Sequence, residues 1–276
     1  MSKGAQGSME SVAGGEEEKQ PLLQPVVDWY NGLDVDSGAL IAEFIGTFLF
    51  TWLGASCASN SVDSGLTTAA IGNGGALAVL IYSTARLSGG HLNPAISFAL
   101  FLIAEGAMTL PKFLAYAAVQ ILGALAAAFA LRYGCPDTAV GRNPFVTQGI
   151  LSDGVSRNLA GLGIFEFVMT FALVYVVCAT ALDAKGTARQ YAPLVIGLTY
   201  AVAIYCEGPY TGGSMNPART IAAAVVFNDF IGMWVSLLFI TAGAVAGAFV
   251  YKGAFNVDSF NQDSAEAAKY VGSRYV

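Results

Sequence analysis

Two short segments of this 276-residue chain repeat one pattern of residues that could do chemistry. Each reads Gly-Gly, two variable residues, then Asn-Pro-Ala, and the six motif residues are Asn93, Pro94, Ala95, Asn216, Pro217 and Ala218. Asn is a favoured N-cap and Pro is pre-organised for the first helical position, so each motif predicts the start of a helix. A helix N-terminus offers unpaired N–H groups and partial positive charge, which favour polar neutral groups and disfavour cations. One Asn-Pro alone would be read as a turn, but two matching copies indicate a functional pair.

Three charged residues lie inside otherwise apolar sequence: Glu43, Glu166 and Arg219. A charge in lipid is costly unless it faces water or protein, so each residue is a functional candidate. Glu43 precedes Asn93 by 50 residues, and Glu166 precedes Asn216 by the same distance. Carboxylates in spans could relay protons in a coupled transporter. The symmetric spacing instead favours a supporting role, in which each carboxylate accepts backbone N–H groups of the loop that follows.

The motifs belong to a longer internal repeat with an offset of 123 residues, because Glu43-Phe44 recurs as Glu166-Phe167 at the same offset. Each copy contains three apolar spans, and this odd number inverts the second copy in the membrane. The apolar runs after the motifs, Ile96–Ala104 and Ile221–Phe227, are too short to span, so they predict re-entrant half-helices. Inverted symmetry brings the N-termini of the two half-helices together near the bilayer midplane.

Composition indicates a membrane protein, since 55% of residues are hydrophobic and only 12% are charged, against about 25% charged in soluble domains. The six predicted spans are Ser37–Val62, Ser64–Ala85, Phe113–Leu131, Leu159–Leu182, Gln190–Cys206 and Phe230–Tyr251. The predicted fold is therefore all-α, with six transmembrane helices plus two half-helices. The predicted organisation is an N-terminal tail (1–36), a channel domain (37–255) with repeats at about 37–135 and 159–255, and a C-terminal tail (256–276).

Charge and cysteine content limit the partners. The net charge of −6 comes largely from the tails, and no basic face indicates nucleic acid. The four cysteines form no CxxC pair, so we interpret them as small hydrophobic residues and expect no metal and no cofactor. Nine cations lie in the tails and the second and fourth loops, against three on the other side, which predicts that both termini are cytoplasmic.

The paired loops resemble the two signature loops of the major intrinsic protein (aquaporin) family over about residues 37–255. The resemblance implies a passive channel for water in the lipid bilayer, with one pore per subunit of a homotetramer, and it implies that the chain is not an enzyme. In that family, amide donors and opposed helix dipoles exclude protons and ions; aquaporin-type pores are the established example of this barrier.

The same resemblance implies a selectivity filter of four residues: Asn73, Ile204, Gly213 and Arg219. The set lacks the Phe and His of a strict water filter, and small or aliphatic residues there predict a wider opening. It is most similar to the tonoplast intrinsic proteins, with Asn in place of their usual His. We therefore expect water plus a small neutral solute such as ammonia, urea or glycerol.

Two further polar residues are assigned to the pore vestibules. His91 either tunes permeation with pH or makes loop hydrogen bonds, and Glu207 lies beside the filter without an assigned role. The segment Glu18 to Leu23 fits an acidic dileucine sorting signal, which favours a vacuolar or endosomal membrane, with the plasma membrane as the alternative. The competing function is a coupled secondary transporter, whose folds also use inverted repeats and broken helices. A scaffold with a closed pore is a third alternative.

Overall fold

The computed structural model describes residues 36–104, 107–134, 158–183, 185–186 and 189–255. The predicted tails, the dileucine-like segment and Cys135 lie outside these residues, apart from Asp36. Within the described ranges the secondary structure is entirely helical. The α-helices are α1 (Ser37–Ser64), α2 (Leu66–Ser88), α3 (Pro94–Ile103), α4 (Leu110–Gly134), α5 (Leu159–Val177), α6 (Ala192–Thr211), α7 (Pro217–Phe227) and α8 (Met233–Ala254). A π-helical turn, Cys178–Leu182, continues α5, and a 3₁₀ turn, Arg189–Tyr191, precedes α6.

Six of these helices are long and apolar enough to cross a membrane, and α3 and α7 are the two short apolar helices. This confirms the predicted fold class. α4 (Leu110–Gly134) runs past its predicted charge-free window, Phe113–Leu131, at both ends. α4 begins before Lys112 and ends after Arg132, because a long cationic side chain at a helix end reaches back to the polar interface. Large hydrophobic residues face outward, including Trp234, which is 72% exposed, as expected where lipid replaces water.

The helix contacts follow the repeat. α1 packs on α2 and α4, and correspondingly α5 packs on α6 and α8. Each half-helix packs against the last long helix of the other repeat, so α3 contacts α8 and α7 contacts α4. Two further contacts each join a helix to its own counterpart in the other repeat: α2 with α6, and α3 with α7. The two halves are therefore related by a pseudo-two-fold axis. Each half-helix packs against the other half, which holds the two halves together.

The crossing of α2 and α6 depends on two glycines that face each other. A Cβ placed on Gly74 would lie 2.4 Å from the carbonyl oxygen of Gly197, and a Cβ on Gly197 would lie 2.4 Å from that of Gly74. Real side chains do not tolerate such contacts, so only glycine permits this backbone approach. The crossing fixes α2 and α6, and these are the helices that end at the two motif loops.

Candidate functional site

The two motif loops share one unusual backbone. Gly89 and Gly90 have positive φ angles of 94° and 63°, and Gly212 and Gly213 repeat them with 85° and 69°. The residue before each motif Asn, Leu92 or Met215, is also left-handed, with φ of 51° and 48°. A left-handed conformation costs a non-glycine residue about 1–2 kcal/mol, so both loops need external support.

Glu43 supplies that support in the first half. Its carboxylate is fully buried and accepts the backbone N–H of His91 at 2.9 Å and that of Leu92 at 2.7 Å. It also accepts the Ser88 hydroxyl at 2.6 Å and the Gln120 amide at 2.8 Å. Four donors therefore surround one carboxylate, which fits a group that holds the loop rather than one that exchanges protons.

Glu166 occupies the equivalent place in the second half. It is fully buried and accepts the N–H of Ser214 at 3.1 Å and that of Met215 at 2.9 Å. The strained residue of each loop, Leu92 or Met215, thus donates its N–H to a carboxylate one helix away.

The two Asn side chains cap their helices and bridge the loops. The Oδ1 of Asn93 accepts the N–H of Ala95, and that of Asn216 accepts the N–H of Ala218, both at 2.9 Å. Each amide nitrogen crosses to the opposite loop: Asn93 donates to the Met215 carbonyl at 2.8 Å, and Asn216 donates to the Leu92 carbonyl at 2.9 Å.

These crossed bonds bring the N-termini of α3 and α7 together. An amide nitrogen carries two N–H donors, so each Asn has one bond to the opposite loop and a second N–H for another acceptor. Two facing helix N-termini each contribute roughly half a positive elementary charge. The junction is therefore rich in N–H donors and positively polarised.

Arg219 is held by two aromatic side chains. It is 2% exposed, and its guanidinium carbon lies 5.1 Å from the Phe50 ring centroid and 5.7 Å from that of Tyr200. Its Nη1 donates to the Tyr200 hydroxyl. That hydroxyl also lies 2.7 Å from the Ser214 carbonyl and 3.2 Å from the Gly213 carbonyl. Tyr200 thus connects the arginine to the loop.

Ile204 and Gly213 meet beside this arginine. A Cβ placed on Gly213 would lie 2.3 Å from the Ile204 Cδ1, and the positive φ of Gly213 disfavours any side chain. Ile204 is one turn beyond Tyr200 on α6, so both project from the same side of the helix. The structure therefore groups Ile204, Gly213 and Arg219.

Asn73 makes its contacts elsewhere. It is 1% exposed, and its amide donates to the Gly54 carbonyl on α1 at 3.0 Å and to the Ala69 carbonyl on α2 at 2.8 Å. Its Oδ1 has no hydrogen-bond partner in the described part of the chain. These contacts connect α1 and α2 and do not join Asn73 to the other three residues. Its place in the filter stays a prediction.

His91 belongs to a polar network on the first loop. Its Nδ1 lies 3.0 Å from the Ser97 hydroxyl, and that hydroxyl accepts the Gln120 amide at 3.0 Å. The Ser97 proton is then available to the imidazole. Burial lowers the pKa of His91 from its ordinary value of 6.5, Glu43 opposes this, and Lys112 adds to it. The neutral imidazole is therefore the form that the loop favours near neutral pH.

Glu207 lies on α6, one turn after Ile204, and is fully buried. Its Oε2 accepts the Thr211 hydroxyl at 3.3 Å, and the Thr211 oxygen accepts the N–H of Gly213 at 3.0 Å. Glu207 thus lies beside the filter loop. No group of three or more His, Cys, Asp or Glu residues that could hold a metal ion occurs among the described residues.

Three residues of this site were not predicted from the sequence: Phe50, Tyr200 and Gln120. Comparison of the repeats gave no signal for them, because the 123-residue offset pairs Phe50 with Leu173 and Tyr200 with Leu77. Aromatic residues and a single glutamine in apolar spans are read as packing. A polar atom on an apolar span, which needs a partner when buried, was the available signal for Tyr200 and Gln120.

An inverted repeat of membrane-length helices, with two half-helices joined at their N-termini, defines a multi-pass membrane protein of the transport class. The chain belongs to the major intrinsic protein family, whose model matches residues 34–251. It is thus an integral membrane channel of the aquaporin class.

Individual proteins agree with this assignment. The chain is 38% identical to aquaporin TIP2-2 of Zea mays over 234 residues, which cover 81% of this chain and 90% of that protein. It is 34% identical to nodulin-26 of Glycine max over 244 residues, 85% of this chain and 84% of that protein. The X-ray structure of the aquaglyceroporin from Plasmodium falciparum has the same fold, with a TM-score of 0.68 at 24% identity, covering 79% of this chain and 96% of that one.

Proposed function

We propose that this protein is a passive channel for water that also passes small neutral solutes, such as ammonia, urea or glycerol, and excludes protons and ions. The observation that carries the proposal is the crossed pair of hydrogen bonds between the motif loops. It supports a pore whose narrow centre is lined by Asn93 and Asn216. A water that accepts from both amides must turn its hydrogens outward, which interrupts proton transfer along the file.

Pro94, Ala95, Pro217 and Ala218 complete the motifs in this proposal, because they begin the two half-helices. Ile204, Gly213 and Arg219 form the filter, together with Asn73 as the resemblance implies. Glu43 and Glu166 hold the loops, and His91 and Glu207 lie at the vestibules. The contacts of the two carboxylates with loop N–H groups argue against a coupled transporter, because those acids already have structural partners.

The proposed setting is an endomembrane, with the vacuole favoured, because the relatives include tonoplast-type aquaporins. Residues 37–255 form the channel domain, both termini are cytoplasmic, and four subunits assemble with one pore each. The excess of cations on the side of the termini supports that orientation.

Proteoliposomes test the function directly. Stopped-flow shrinkage is expected to show water permeability well above that of empty vesicles, and solute gradients of urea, ammonia or glycerol are expected to dissipate faster than in empty vesicles. A pH-sensitive dye inside the vesicles should report no added proton flux. Water permeability equal to that of empty vesicles would overturn the proposal.

A further inference from the structure

The hydroxyl of Thr211 lies between two buried carboxyl groups. Its oxygen is 3.3 Å from Oε2 of Glu207 on the same helix, and its side chain also hydrogen-bonds Glu166 on α5. The same oxygen accepts the backbone N–H of Gly213 at 3.0 Å. Glu166 and Glu207 are both 0% exposed. One hydroxyl therefore serves two buried acids and the second motif loop.

The first half of the molecule shows which acid takes the hydroxyl hydrogen. Ser88 corresponds to Thr211 by the 123-residue offset, and its hydroxyl donates to Glu43 at 2.6 Å. Glu43 in turn corresponds to Glu166. The equivalent bond in the second half therefore runs from the Thr211 hydroxyl to the Glu166 carboxylate.

Glu207 is the acid without a counterpart, because the offset pairs it with Thr84. In the described part of the chain its carboxyl group bonds only Thr211, through Oε2, and Oε1 has no hydrogen-bond partner. The nearest cation, Arg219, donates to Tyr200 instead. The titratable and charged groups that act electrostatically on the Glu207 carboxyl group are Glu166, Cys206 and Arg219.

A count of hydrogens separates the two possible states of Glu207. A hydroxyl has one hydrogen to donate and two lone pairs that accept. If Glu166 and Glu207 were both ionised, the one Thr211 hydrogen would have to serve two carboxylates, and a buried anion without a donor is costly. If Glu207 is protonated, the same 3.3 Å contact runs from its hydroxyl to the Thr211 oxygen. That oxygen then accepts from Glu207 and Gly213 and donates to Glu166, so its capacity is fully used.

We propose that Glu207 is a neutral acid that donates to Thr211, while Thr211 donates to the Glu166 carboxylate. Glu207 is then a positioning residue, because this chain of hydrogen bonds reaches the N–H of Gly213. The inference deepens the proposed function and rests on it, since Gly213 belongs to the proposed filter. A neutral acid adds a donor without a negative charge, which fits a channel proposed to exclude cations.

Solid-state NMR measures the protonation state directly. The sample is the full-length protein with ¹³C-labelled glutamate in lipid bilayers at pH 7. The carboxyl carbon of a neutral glutamic acid has a different chemical shift from that of the anion, and Glu207→Gln identifies the Glu207 signal by its loss. We expect that signal in the range of the neutral acid. A Glu207 signal in the range of the anion would overturn the inference.

The unfolding temperature in detergent tests the donated hydrogen bond. Glu207→Gln keeps a neutral N–H donor and should unfold close to the wild type. Glu207→Leu keeps a similar size without a donor, so its folding equilibrium should shift about fivefold towards the unfolded state. In a Thr211→Val background, Glu207→Leu should have a much smaller effect, because the acceptor of the bond is already absent.

A role in packing alone predicts a different pattern. Glu207→Gln as unstable as Glu207→Leu, or an equal effect of Glu207→Leu in both backgrounds, would overturn the inference. Neither measurement uses permeation, so the inference can fail while the wild-type protein still passes water. A wild-type protein without water permeability would overturn the proposed function, and the NMR signal would still decide the protonation of Glu207.

Discussion

The two motif loops have the same backbone but different support. Glu43 accepts four hydrogen bonds, whereas Glu166 accepts two from backbone N–H groups and interacts with the Thr211 hydroxyl. Gln120 contributes to the first set. Gly123 and Gly243 pack on equivalent backbone of α1 and α5, and this register places Ile240, which has no polar atom, at the position equivalent to Gln120.

The second loop has contacts that the first lacks. Arg219, which follows its motif, corresponds by the 123-residue offset to Ile96, and Tyr200 corresponds to Leu77. The hydrogen bond of Arg219 to Tyr200 and its cation–π contact with Phe50 therefore have no equivalent in the first loop. Duplication explains the shared scaffold. Among the predicted filter residues, Ile204 and Gly213 match their counterparts Ile81 and Gly90, whereas Arg219 and Asn73 correspond to Ile96 and Ile196.

The largest expected difference between the halves concerns the carboxylates. Glu43→Ala leaves four donors without an acceptor and should cost on the order of 4 kcal/mol, whereas Glu166→Ala affects two backbone donors and the Thr211 hydroxyl and should cost less. The measurement is the temperature at which detergent-solubilised protein loses its monodisperse elution peak. Equal losses, or a larger loss for Glu166→Ala, would show that the hydrogen-bond count does not set the support of each loop.

Tyr200→Phe removes the hydroxyl that connects Arg219 to the second loop and keeps the aromatic ring. Its hydroxyl contacts Arg219 and two loop carbonyls, so the loss should cost about 1–2 kcal/mol and free the guanidinium to move. We expect a higher ratio of glycerol to water permeability in proteoliposomes. Tyr116→Phe removes a hydroxyl bonded to the Ser88 carbonyl in the first half and serves as the matched control, with an unchanged ratio.

Gln120→Leu makes the first half resemble the second. The variant removes the amide bonds to Glu43 and Ser97 but leaves the loop N–H bonds to Glu43, so it should cost about 1 kcal/mol. Thermal unfolding in detergent would measure this cost. A variant as unstable as Glu43→Ala would contradict the assignment of the main support to the backbone bonds.

The smallest expected effect concerns His91, which corresponds to Ser214 in the second loop. Since burial lowers its pKa below 6.5, the unfolded chain takes up the proton first as pH falls, and stability is lost below pH 6.5. The unfolding temperature of the wild type should therefore fall on going from pH 7 to pH 5 by more than that of His91→Gln. Identical pH profiles would remove the proposed role of the neutral imidazole.

The fold was predictable because both its signals survive in sequence: charge-free spans and a repeat in register. Glu43, Glu166 and the motif Asn residues recur at one offset, and the structure places each pair in equivalent contacts. Their functional roles stay predictions. Phe50, Tyr200 and Gln120 were not predictable in this way, because their partners are single atoms on other helices and their counterparts in the other half are apolar or absent. Asn73 was predicted from its aligned position alone. That position does not reveal that the Asn73 amide donates to the Gly54 carbonyl.

The central claim is that the two half-helices meet through crossed amide bonds in the membrane. Solid-state NMR of the protein in lipid bilayers, with ¹⁵N-labelled Asn and ¹³C-carbonyl-labelled Met, measures it directly. The account predicts a through-space contact between the Asn93 side-chain nitrogen and the Met215 carbonyl carbon, at the roughly 4 Å that the hydrogen bond imposes, and its loss in Asn93→Ala. A spectrum in which the wild-type Asn93 side-chain amide contacts only water would contradict the account.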